Sequence, residues 1–192
     1  MNVEVDTHVN GIDVGFSYIT FTGCYLYAAD YQTLDFSSGP GSGQASYITV
    51  ENCTIEGGGV TKVAMGYGLC LEMPLHAVIT GNHFTRAYMQ ALNITPRSET
   101  TFTGPATQMT NNTFDLTTGT PSSGDPPIVL KGGDNVFTGN TITGYTSNSA
   151  IVAMWNTTNN TVNNNTFRSI GGKTPVVVYS DSGNTLAPNV VQ

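Results

Sequence analysis

The chain has 192 residues, of which only 10% are charged, and its formal net charge is −7. Its six dispersed Lys and Arg argue against a nucleic-acid footprint. No apolar run approaches the ~20 residues of a membrane-spanning helix. The length suits a single domain, 1–192, with a substantial core.

In chain order, the first ten residues, Met1–Asn10, read as an irregular edge. They show neither the basic head nor the apolar run of a signal peptide. Gly11-Ile-Asp-Val14 resembles Gly68-Leu-Cys-Leu-Glu72, so the chain enters partway through a repeating unit. A short phrase then recurs six times. Its copies are Ile19–Leu26, Ile48–Ile55, Ala77–Phe84, Thr107–Phe114, Asn135–Ile142 and Asn160–Phe167. Successive copies are offset by 29, 29, 30, 28 and 25 residues. A period of this size marks one structural unit stacked on copies of itself.

Apolar and polar residues alternate within each copy, as in a strand with one buried face. Phe21, Val50, Ile79, Met109, Phe137 and Val162 share one column. Two residues on comes Gly23, Asn52, Gly81, Asn111, Gly139 and Asn164. Glycine and asparagine enter left-handed backbone geometry most cheaply, so this column predicts a bend. The next column is Cys24, Cys53, Asn82, Asn112, Asn140 and Asn165, read as an inward ladder. Its stacked amides would bond one another and the bend backbone, with the two cysteines as small apolar filler. Further strands are expected at Thr33–Phe36, Leu69–Glu72, Ala91–Ile94, Ile128–Leu130, Ile151–Met154 and Val176–Tyr179. No stretch sustains a 3.6-residue apolar period, so almost no helix is expected. Residues 184–192 read as an irregular tail.

Phrases such as Ile48-Thr-Val-Glu-Asn-Cys-Thr-Ile55 and Val136-Phe-Thr-Gly-Asn-Thr-Ile142 resemble the right-handed parallel β-helix repeats of the pectin-lyase-like superfamily. The resemblance runs from about Gly11 to Val178. It implies an all-β, single-stranded right-handed parallel β-helix of about six to seven coils, with a period of 25–30 residues. It does not imply one function, because the same coil carries lyases, hydrolases, epimerases and phage spikes. The Asn-Thr-Asp, Asp-Asp, Gly-His-Gly and Arg-x-Lys set of the polygalacturonases is absent, as are the Arg-x-Pro-x-x-Arg and Trp-x-Asp-His patterns of pectate lyases.

Two functional readings follow. One is a non-enzymatic phage virion surface protein, a capsid decoration protein or short tail-spike, acting by rigid protein or glycan contact. It would be a homotrimer bound to other virion proteins, with a host polysaccharide as a further partner. The alternative is a polysaccharide lyase or glycosidase acting on acidic glycans, extracellular and part of a longer chain. Its groove residues would be Glu72, His76, His83 and Arg86, supplying general acid, base and anion clamp. Neither reading needs a cofactor, and His76 and His83 have no third partner at metal-ligand spacing. Tyr25, Tyr27, Tyr31 and Trp155 are candidate contact aromatics. Of the three cysteines, Cys24 and Cys53 are expected as buried free thiols, and Cys70 is expected to face outward. Four Gly/Pro-rich loops, Ser37–Ser46, Glu56–Gly66, Pro96–Ala106 and Thr117–Pro127, would emerge at related corners.

Overall fold

The computed structural model describes residues 12–13, 18–27, 33–36, 47–57, 67–72, 76–86, 90–95, 107–117, 126–144, 150–179 and 181–192. Tyr31, the edge 1–10 and most of the four loops lie outside them. Every pairing between strands is parallel. Successive strands are dealt in rotation to three sheets, so the chain winds as a solenoid.

The first sheet runs through Ile12–Asp13, Leu34–Phe36, Tyr67–Glu72, Gln90–Thr95, Ile128–Gly133, Ala150–Thr158 and Thr174–Val178; Asp181–Ser182 adds to Ala150–Thr158. The second holds Ile19–Thr22, Ile48–Glu51, Val78–Thr80, Gln108–Thr110, Val136–Thr138 and Thr161–Asn163. The third holds Tyr25–Tyr27, Thr54–Glu56, His83–Thr85, Thr113–Asp115, Thr141–Thr143, Thr166–Arg168 and Val190–Val191. Each repeated phrase therefore contains two strands with the bend between them. The unit holds three strands, and the expected further strands are those of the first sheet.

The bend column behaves as its residue types dictate. Gly23, Asn52, Gly81, Asn111, Gly139 and Asn164 all have positive φ, between 54° and 67°. Their strict alternation of glycine and asparagine has a steric cause. A Cβ built at Gly81 would lie 2.6 Å from Asn52 Oδ1, and one at Gly139 would lie 2.6 Å from Asn111 Oδ1. The amides of Asn52 and Asn111 lean over the next coil, which leaves room there only for glycine.

The residue after the bend points inward. Asn82 Nδ2 donates to Asn112 Oδ1 at 3.0 Å and to Val50 O at 2.8 Å. Asn112 repeats this to Asn140 and Ile79, Asn140 to Asn165 and Met109, and Asn165 to Asn189 and Phe137. Each of these Oδ1 atoms also accepts the backbone N–H of the coil before, at 2.9–3.0 Å. Asn189 extends the ladder into residues 184–192. That stretch, expected to be an irregular tail, follows the coil path because Val190–Val191 pairs with Thr166–Phe167. Cys24 and Cys53 do more than fill space: Cys24 N donates to Cys53 Sγ at 3.3 Å, and Cys53 N to Asn82 Oδ1 at 2.9 Å.

A second ladder stands at the corner entering the second sheet, unforeseen in the sequence. Asn135 N donates to Asn160 Oδ1 at 2.6 Å, and Asn160 N to Asn184 Oδ1 at 2.7 Å. A left-handed residue again precedes each asparagine: Asp134, Asn159 and Gly183. Between the ladders runs a dry core. Leu26, Ile55, Phe84, Phe114, Ile142 and Phe167 are at most 1% exposed, and Phe84 stacks on Phe114 at 4.6 Å.

Truncating Asn112 to Ala would orphan the buried N–H of Asn82, its side-chain amide and the Ile79 carbonyl. We expect a loss of about 2–5 kcal/mol, measured by urea denaturation. Gly23→Ala should cost about 1–2 kcal/mol for its backbone alone, since nothing lies within 4 Å of its added Cβ. Gly81→Ala should cost more, and the excess should disappear in the Asn52→Gly background.

Candidate functional site

The three sheets present different outer faces. On the first, the outward column Asp35, Cys70, Asn93, Val129 and Ala153 is at most 9% exposed. Cys70 faces away from the core cluster, as its place between Leu69 and Leu71 implies, and is nevertheless 2% exposed. The outer faces of the second and third sheets carry half-buried or exposed threonines in register. Thr80 and Thr110 hydroxyls bond at 2.9 Å, as do Thr138 and Asn163. Contact surfaces are therefore to be sought on these two sheets and at their corners.

Of the residues of the enzymatic alternative, the described side chains, His76, His83 and Arg86, stand at different corners and strands. Glu72 ends a first-sheet strand, and its side chain lies outside the described residues. His76 sits at the corner before the second sheet, exposed and in left-handed backbone. His83 begins a third-sheet strand and is exposed, next to Thr54 and Thr113 in the register. Arg86 follows that strand, also left-handed, and pairs with Glu56: Nη1 lies 2.7 Å from Oε1. The other oxygen of Glu56 accepts the Tyr25 hydroxyl, and the Glu56 carbonyl accepts Thr33 Oγ1 at 2.7 Å. Tyr25, Glu56 and Arg86 thus form a diagonal across three coils of the third sheet. Glu56 is 9% exposed with both carboxylate oxygens engaged, an arrangement suited to pinning coils together. Tyr27 is half-buried, level with Glu56 in the neighbouring strand.

The aromatic side chains are more organised. Trp155 stacks on Tyr179, with centroids 5.0 Å apart and planes at 8°. Lys131 Nζ lies 5.7 Å from the Trp155 ring centroid. Tyr179 is 55% exposed. In earlier coils, Tyr18 stacks on Tyr47 at 4.7 Å and 4°, and Tyr47 on His76 at 4.8 Å and 15°. All three of these residues have positive φ, at 64°, 58° and 54°. They occupy the column that later coils fill with Asp134, Asn159 and Gly183. Tyr18 is 77% and Tyr47 46% exposed. A cleft of about 340 Å³ opens beside them, lined by Tyr47, Thr49, His76, Ala77, Val78 and Gln108. Sequence reasoning missed this ridge, although its signal was present: 18, 47 and 76 each precede a repeated phrase, at steps of 29.

The profile of the family described as "Right handed beta helix region" matches residues 2–167. This chain belongs to the right-handed β-helix family. The stacked parallel strands and the match agree on the class inferred from the repeats. No curated protein and no solved structure matches the chain. Family membership therefore carries the fold and leaves the chemistry to the residues themselves. Among the described residues, no group of three or more His, Cys, Asp or Glu is placed to hold a metal ion.

Cys24, Cys53 and Cys70 are free. Burial pushes the Cys53 thiol above its ordinary value, and the Cys24 N–H donated to its sulfur offsets part of this. A raised folded value means that the folded state holds its proton where the unfolded chain releases it. The resulting stability is complete below the unfolded thiol's range near 8.5 and is lost as pH rises through the folded value. Between about pH 7.5 and 9.5, wild type should therefore lose stability more steeply than Cys53→Ala. Parallel urea titrations of the two proteins would show it.

Proposed function

We propose that this β-helix is a non-enzymatic surface-display protein that works by rigid contact with a glycan or a protein. Its setting would be the outside of a phage particle, as a decoration protein or short spike, most naturally as a homotrimer. One observation carries the reading: three exposed rings, Tyr18, Tyr47 and His76, are stacked in register on a left-handed corner of a stiff coil. Rings held this way lose little freedom on contact, so association costs less ordering entropy. Exposed aromatic clusters are also the residue class that dominates recognition surfaces.

The electrostatics support the same view. Glu56 is half of an ion pair with Arg86 and also accepts a tyrosine hydroxyl. Asp115 caps its own turn, accepting the Thr117 N–H at 2.9 Å and its hydroxyl at 2.6 Å. Glu51 accepts the Thr22 hydroxyl at 3.0 Å. These carboxylates are satisfied by neighbours within the coil stack.

The test has two parts. Sedimentation equilibrium should give a mass of three chains. Incubation with polygalacturonate, alginate and neutral polysaccharides should release no reducing ends and no unsaturated uronate. Turnover that disappears in Glu72→Gln or His83→Ala would replace the proposal with the lyase or glycosidase reading.

A further inference from the structure

The ridge is difficult to explain as a stabilising device. A left-handed backbone costs about 1–3 kcal/mol at a residue that is neither Gly nor Asn. Two consecutive coils accept that cost at Tyr18 and Tyr47, and His76, a residue type that enters this region more readily, continues the column. The two stacking contacts return about 0.5–1.5 kcal/mol each beyond the area they bury. Later coils solve the same corner with Asp134, Asn159 and Gly183, residues with a smaller penalty. Backbone strain kept at exposed side chains points instead to function.

The cleft beside the ridge defines what would bind. Tyr47 and His76 line one side of it. The floor is the outward column Thr49, Val78 and Gln108, in register across three coils of the second sheet. It therefore offers a hydroxyl, an apolar patch and a primary amide in sequence. Among the described residues no Lys, Arg, Asp or Glu lines it, so that lining supplies no Lys or Arg to neutralise a uronate or a phosphate. Its volume of about 340 Å³ lies at the small end of ligand sites. A pyranose unit has the matching character, with C–H patches between hydroxyls that both donate and accept. The spacing of coils, ~4.8 Å, makes the floor a repeating surface suited to a chain of such units.

We propose that the cleft formed by Tyr47, His76, Thr49, Val78 and Gln108 binds a neutral sugar unit of a polysaccharide. The inference rests on the non-catalytic reading above and names the ligand class for its ridge.

The test is affinity electrophoresis of the full chain through gels containing dextran, galactomannan or polygalacturonate. Wild type should be retarded by at least one neutral polymer and not by polygalacturonate. The double variant Tyr47→Asn/His76→Gly places at the two positions the successive pair, Asn159 and Gly183, that occupies this corner in later coils. It should fold with an unchanged or raised Tm and bind at least roughly tenfold more weakly. Gln108→Ala, which leaves the corner untouched, should weaken binding with no change in Tm. Retardation unaffected by either variant would overturn the assignment, as would retardation by polygalacturonate alone. If wild type binds no neutral polymer and the double variant instead dissociates an oligomer, the ridge is a subunit contact. The sugar proposal then falls while the contact function stands. Cleavage of any of the polymers would overturn the contact function itself.

Discussion

The structure depends on one buried amide repeated at a fixed place in every turn. Asn82, Asn112, Asn140 and Asn165 each accept from a backbone N–H of the preceding coil and donate to the amide of the following one. A left-handed residue immediately before each turns the chain so that the amide points inward. Buried polar groups are tolerable only when satisfied, and here satisfaction requires the next coil to be in register. The ladder therefore excludes slippage between coils, which alternation of apolar residues alone would leave weakly specified. Where cysteines replace asparagine in the first two coils, Sγ still receives a backbone N–H, at a longer distance.

The same device, a left-handed residue followed by an inward amide, is used twice around the coil. At the bend between the second and third sheets it runs from Asn82 to Asn165. At the corner entering the second sheet it operates only where Asn135, Asn160 and Asn184 are present. In earlier coils the inward position is Ile48 or Ala77, both fully buried. The left-handed position ahead of them, released from pairing with an amide, carries Tyr47 or His76. The corner thus divides along the axis into an amide-locked half and an aromatic half. A solenoid permits this because each coil answers mainly to its neighbours.

Function in such a molecule follows from what the outer faces leave available. The outward column of the first sheet is buried, and the diagonal Tyr25–Glu56–Arg86 on the third is satisfied within itself. Among the described residues, stacked rings with exposed members remain at two places on the coil, Tyr18–Tyr47–His76 and Trp155–Tyr179. Both arise because parallel register places residues one period apart directly over one another. Stacking of side chains is thus a by-product of the fold that recognition can exploit.

The repeat period, the parallel coil, the left-handed bend and the inward asparagine column were legible in the sequence. Each is a local preference written six times, and repetition made weak signals additive. Three features were decided by tertiary structure. The burial of Cys70 follows from its environment and not from its outward place in the strand alternation. The alternation of Gly and Asn in the bend reflects contact between coils, with Asn52 Oδ1 lying over Gly81. The placing of Glu72, His76, His83 and Arg86 on two different sheets and at two different corners follows from sharp bends within fifteen residues. Proximity in sequence could not foretell it, because a coil carries residues a few positions apart to different faces while bringing those a full period apart into contact.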